Sequence, residues 1–255
     1  MYVIVPLILA FLMVASFRYF PVKIAKYIKK KADDKARYQN VEKLEEDSMY
    51  FREIPFENLG DAFWLSYCAG LMENPEDIFY AFLLKWHIDG NVEVYKKHNI
   101  YYAQVKKKIS YTDTFETKVF KHIFLWGAFK IPVKISRIRF SKSLTLTKLL
   151  RISYYNLKAQ GYALPNNIYA IDNTGAFTVP DDLKPKLEAL IGLKKFLEEF
   201  TLIYEKSVEA VHLYEMYLVY AELFGIADKT EEELSRYISP ELISFYVNQS
   251  KNKEI

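Results

Sequence analysis

The chain reads as a mainly α protein with short β-hairpins, an α+β fold of winged-helix-like units followed by C-terminal helices and preceded by one transmembrane helix. Three observations carry that reading. Residues 1–17 hold no charge. Runs of helical periodicity are twice followed by alternating segments around turn residues, and the last third of the chain places apolar residues at helical spacing with glycine stops. The divisions that follow are an anchor at 1–20, a basic juxtamembrane neck at 21–47, winged-helix-like units at 48–110 and 111–180, and a helical region at 181–255.

The anchor comes first. About 20 apolar residues cross a hydrocarbon core, and residues 1–20 have that length, with Arg18 close enough to their end to snorkel toward headgroups. Pro6 falls near the outer end, where a lost backbone hydrogen bond is more easily replaced. A cleaved secretory signal carries its positive charge ahead of the apolar stretch. Here the charge follows it, as Arg18, Lys23, Lys26, Lys29, Lys30 and Lys31. A buried core helix would show a polar stripe, and this segment has none. Basic residues beside a span stay on the cytoplasmic side. The expectation is a single-pass protein of the cell membrane with its C-terminal domain in the cytoplasm, those six side chains lying against the anionic inner leaflet.

Beyond the neck, residues 58–71 carry Leu59, Ala62, Phe63, Leu65 and Ala69 at helical spacing. A second helix opens at Asn74-Pro75-Glu76-Asp77, with a cap, a first-turn proline and acids where the helix dipole favours them, and stops near Asp89-Gly90-Asn91. Residues 92–97 and 99–106 alternate as strands around a turn at 97–99. Two helices and then a hairpin is a winged-helix order. A second pass predicts a helix over 112–129, a strand over 131–140, a helix over 144–160 ended by Gly161, and a hairpin with strands at 168–171 and 176–179 around Asp172-Asn173-Thr174-Gly175. Helices over 184–204, 207–224 and 231–248 complete the chain. In the second of these, Leu213, Tyr217, Leu218, Ala221 and Phe224 share one face, with Tyr214 and Tyr220 at its edges, a pattern for packing rather than ligand binding. Before all of them, Pro55 keeps Ile54 extended, and Phe51 and Ile54 are the expected buried residues of that lead-in.

Charge is unevenly distributed. Residues 96–142 hold 12 basic side chains against 2 acidic, while residues 181–255 hold 9 against 15. The anion-binding candidates are Lys106, Lys107, Lys108, Arg137 and Arg139, with Lys96, Lys97, Tyr101 and Tyr102 beside them. Three uses fit such a block: a second contact with anionic lipid, a nucleic-acid backbone, or attraction to the acidic C-terminal part.

Chemistry is poorly provided for. His87, His98, His122 and His212 stand apart in sequence, with no His or Cys pair at metal-ligand spacing, no phosphate loop and no nucleophile elbow. The single Cys68 excludes an intrachain disulfide and sits in an apolar run, where a buried thiol is expected. The chain is therefore read as a non-enzyme without a cofactor or metal.

Three stretches carry a family resemblance: Tyr50-Phe51-Arg52-Glu53-Ile54-Pro55; Gly192-Leu193-Lys194-Lys195-Phe196-Leu197-Glu198-Glu199-Phe200; and residues 212–229, which run from His212-Leu213-Tyr214-Glu215 to Leu223-Phe224-Gly225-Ile226-Ala227-Asp228-Lys229. In order and spacing they resemble the C-terminal cytoplasmic half of the predicted membrane proteins grouped as domain of unknown function 2207, over about residues 48–237. The resemblance implies membrane attachment and an α-rich cytoplasmic region, and no defined activity. That family's usual layout includes an extracytoplasmic β-rich domain before the span and further spans, neither visible here. The chain is thus expected to be a reduced relative, or half of a split pair whose ectodomain is a separate subunit.

The functional expectation is a membrane-anchored protein-interaction or scaffold module whose partners are anionic lipid and an unknown protein. The alternative is a membrane-tethered nucleic-acid-binding winged-helix protein. It is weakened by the acids Glu76, Asp77 and Asp89 on the helix that would enter the groove, with only Lys85 and His87 to offer charge.

Overall fold

The computed structural model describes residues 49–98, 100–107, 114–124, 131–138, 140, 146–169, 178–199 and 208–227, with backbone alone for Arg137 and residues 208–212. The expected anchor and neck, residues 170–177 of the expected second hairpin and the helix over 231–248 lie outside the described residues, and the described residues of that hairpin, 168–169 and 178–179, form a turn and unpaired chain rather than strands. Within them the fold is mixed: six helices and a small three-stranded antiparallel sheet, in the order α1 (Leu59–Cys68), α2 (Asp77–Ile88), β1 (Val92–Lys97), β2 (Ile100–Val105), α3 (Thr114–Ile123), β3 (Val133–Lys134), α4 (Leu146–Ala159), α5 (Lys184–Glu198) and α6 (Val208–Phe224). Among the described residues no helix is long and apolar enough to cross a membrane.

Helix α1 starts where Asn58 accepts the Gly60 amide on its side chain at 2.8 Å, the ordinary chemistry of an N-cap. Gly60 is required by packing, because a Cβ there would lie 2.8 Å from the Phe115 ring. Helix α2 begins later than the residues suggest. Asn74 bonds the Glu76 amide through its side chain at 3.0 Å and the Asp77 amide through its carbonyl. This local turn keeps Pro75 outside the helix. The helix ends in a Schellman turn at Gly90, at φ +68°, with the Asn91 amide reaching the Trp86 carbonyl at 2.8 Å.

The hairpin runs in register from Val92↔Val105 to Lys97↔Ile100, and His98 adopts φ 49° at its tip, a left-handed position that His tolerates better than branched residues do. β3 adds to the free edge of β2 through Ala103↔Val133 and Tyr102↔Lys134. The strand expected over 131–140 is thus two residues long. Pro132 has no amide to give a ladder, and after Lys134 the chain turns into a 3-10 segment, Ile135–Arg137, that sends Ile135 into the core.

Packing centres on α2, which is covered by α6, α3 and β1, while α1 packs on α4 and α5. Trp64, Trp86, Phe63, Phe79, Phe82, Phe115, Phe124, Tyr220 and Phe224 are fully buried in one continuous core. Cys68 is buried as expected, its thiol 3.7 Å from the Ile168 carbonyl. The α6 face is broader than predicted. Tyr214 and residues 217–221, 223 and 224 are all buried, Tyr220 completely, whereas Leu213 is 36% exposed. A helix enclosed on several sides has no polar stripe for periodicity to register.

Candidate functional site

Two regions bring together residues that the sequence singled out. The first is the lead-in, residues 49–56, which lies extended against α5 and α6. The Tyr217 hydroxyl donates to the Arg52 carbonyl and the Tyr220 hydroxyl to the Phe56 carbonyl, each at 2.7 Å. The Lys186 ammonium donates to the Pro55 carbonyl and sits 5.2 Å over the Phe56 ring. Lys195 lies 5.2 Å over Tyr50, Arg52 lies 5.3 Å over Phe196, and the Tyr50 hydroxyl donates to Glu199. That carboxylate raises the Tyr50 hydroxyl pKa. Burial, which an acidic phenol resists by holding its proton, pushes the Tyr220 pKa far up.

Gly192 makes this closeness feasible. A Cβ at that position would stand 2.4 Å from the Met49 carbonyl oxygen and 2.9 Å from the Phe51 Cβ. Pro55 and Phe56 are buried, while Phe51 and Ile54, the expected anchors, are half-buried. The three stretches named for the family resemblance therefore converge on one contact zone.

The second region is the sheet. Alternation along its strands places Val92, Val94, Ala103, Val105 and Val133 on the inner face and Glu93, Tyr95, Lys97, Tyr102, Gln104 and Lys134 on the outer one. The Tyr95 and Tyr102 rings stack at 5.8 Å and 21°, with Lys134 the next residue across the ladder from Tyr102. Lys96, Lys97, Lys106 and Lys107 are exposed, and Lys96 stands 5.2 Å over the Tyr101 ring. Glu93 is bridged by Lys106 at 2.6 Å. At the junction of α2 and the hairpin, His87 Nδ1 accepts the Val94 amide at 3.2 Å and lies 3.1 Å from the Val92 carbonyl. Burial lowers its pKa, against the opposing pull of that carbonyl and of Glu93.

Of the anion-binding candidates, Lys106 and Lys107 flank this sheet. Lys108 and Arg139 lie outside the described residues, and Arg137 is described by its backbone. The membrane-surface candidates Arg18, Lys23, Lys26, Lys29, Lys30 and Lys31 also lie outside the described residues. Sequence reasoning missed Lys134 and Tyr95 as members of one face, because β3 joins the first hairpin and pairing partners are set by register. Among the described residues no group of three or more His, Cys, Asp or Glu is placed to hold a metal ion. Compared with protein-family models, curated proteins and solved structures, the chain matches none.

Proposed function

We propose that this chain is a membrane-tethered cytoplasmic interaction module, related to the C-terminal half of the domain of unknown function 2207 proteins, with winged-helix-like order in its first helices and hairpin. The observation that carries the reading is the clamp on residues 49–56. A tether whose last residues are only a linker has no need of two tyrosine hydroxyls, three cation–π contacts and a glycine-lined approach. Here the strap that follows the expected neck is held on α5 and α6, with Pro55 and Phe56 buried, so on this reading a pull on the tether is felt by the folded module. The partner class is a protein of the same membrane, an ectodomain-bearing subunit included.

The nucleic-acid alternative is disfavoured by the burial of α2. Nine of its twelve residues are buried, whereas a helix that reads a groove must offer base and phosphate contacts along an open face. Lys85, on its remaining surface, is shared between Asp89 and Glu116 at 3.5 Å each.

The test is topology. The full-length chain with a C-terminal tag is expected to stay with the membrane pellet and to resist protease added outside right-side-out vesicles until they are lysed. Digestion of the tag in intact vesicles, or release of a shortened soluble form, overturns the proposal.

A further inference from the structure

We propose that the outer face of the three-stranded sheet is a docking surface for the anionic leaflet of the membrane that holds the tether, which orients the module flat against it; the inference rests on the tethered reading above. The face has the composition of a membrane interface. Tyr95 and Tyr102 form an amphipathic aromatic patch at its centre, the side-chain type that settles at headgroup depth. Lys97 and Lys134 stand on the same face, with Lys106 and Lys107 exposed where β2 ends. The carboxylate on this face, Glu93, is held by Lys106 at 2.6 Å, so the net charge presented is positive.

Lipid is favoured over single-stranded nucleic acid by the arrangement of the rings. A base stacks on an open aromatic face, whereas Tyr95 and Tyr102 turn faces toward each other at 21° and both are half-buried. A leaflet requires only the edges and hydroxyls of such a pair. Each lysine brought to an anionic surface is worth about fivefold in partitioning. A modest affinity suffices, because a neck of 27 residues, 21–47, at ~3.5 Å per residue keeps the face within ~90 Å of the bilayer and makes the contact intramolecular.

The experiment uses the full-length chain reconstituted into vesicles of phosphatidylcholine alone or with phosphatidylserine, with flotation followed by lysine acetylation read by mass spectrometry. Flotation with neutral vesicles reads the tether; acetylation of Lys97 and Lys134, referred to exposed Lys158 on α4, reads the face. The expected result is flotation with both vesicle types and about tenfold slower acetylation of Lys97 and Lys134 on anionic vesicles only, relieved by high salt; in Lys97→Glu with Lys134→Glu the slowing is read at the exposed Lys107 and is expected to be lost there too. Flotation with both and equal acetylation overturns the docking face and leaves the tether standing. Flotation with anionic vesicles alone, lost in the double variant, supports the face and removes the tether. Flotation with neither removes both. Protection of the same lysines by a single-stranded oligonucleotide and not by vesicles replaces lipid with nucleic acid and overturns the proposal.

Discussion

Gly192→Ala tests the clamp most directly, because two opposing effects predict opposite signs. In the middle of a helix, glycine is worse than alanine by ~0.5–1 kcal/mol, and on an open face the substitution stabilises by about that amount. On α5 the new methyl would stand 2.4 Å from the Met49 carbonyl oxygen, 2.9 Å from the Phe51 Cβ and 3.1 Å from the Phe51 amide nitrogen. Two of those atoms are backbone, so no side-chain rotation relieves the contact. Overpacking of this kind costs ~1–3 kcal/mol. If the strap instead lifts away, it gives up the Tyr217 and Tyr220 hydrogen bonds at ~1 kcal/mol each and the burial of Phe56 at ~1.5–3 kcal/mol. After the gain in helix propensity is deducted, the overpacked route leaves a loss of ~0.5–2 kcal/mol and the lifted strap a loss of ~3–4 kcal/mol, so by either route the variant is expected to be less stable. Urea unfolding of the full-length chain in nanodiscs measures this. Limited trypsin digestion separates the routes: a lifted strap is cut after the exposed Arg52 faster than the domain unfolds. A variant with an unchanged or raised midpoint and unchanged cleavage at Arg52 would refute the reasoning.

Two further outcomes follow from buried groups on the same framework. His87 has a folded pKa below its ordinary 6.5 because burial opposes the charged ring, so the unfolded chain binds the proton more readily. Stability contributed by the neutral ring is complete above about pH 6.5 and declines as pH falls from there toward the folded pKa. Urea midpoints should drop on acidification across that window in the parent and be flatter in His87→Gln; a parent no more acid-sensitive than the variant speaks against the assignment. Tyr220→Phe removes the donor to the Phe56 carbonyl in a fully buried setting and is expected to cost ~1–3 kcal/mol. Tyr217→Phe, at a half-buried bond, should cost less, and equal losses in chemical denaturation would show that burial does not set the difference.

Much of the fold was legible where a local signal decides structure. The start of α1 at residues 58–59, the stops at Gly90, Gly161 and Gly225, and the hairpin turn at residues 97–99 lie where propensity and turn chemistry put them, within two or three residues, whereas Asn74 forms a turn ahead of α2 rather than its cap. What failed was set by tertiary context. The alternation over 131–140 describes a strand, yet Pro132 and the pull of Ile135 into the core leave two paired residues. Helix α3 stops at Ile123, and the wide apolar coat of α6 reflects enclosure by neighbours that a single-face wheel does not anticipate. The basic block was visible as a charge run. That Lys134 stands across from Tyr102 is a matter of register between segments about 30 residues apart and leaves no linear trace, whereas Tyr95 and Tyr102 pair within the predicted hairpin.

The clamp depends on the same long-range geometry, and it assigns the C-terminal helices a mechanical role. The bonds from Tyr217 and Tyr220 join residues 165 and 164 positions apart, so the strap is not fully seated until α6 is in place. Helix α6 is itself fastened to the start of α2. Its Gly225 turn, at φ +82°, lies where a Cβ would meet the Asp77 carboxylate at 2.9 Å, and the Glu73 amide donates to the Phe224 carbonyl at 3.1 Å. A force applied through residues 49–56 therefore reaches α2, the centre of the core, by way of α6, without passing along the chain through α1. Peeling the strap costs the tyrosine bonds first and the core afterwards. On the proposed tethered reading, a partner that engages α5 or α6 would consequently act on the seat of the strap itself.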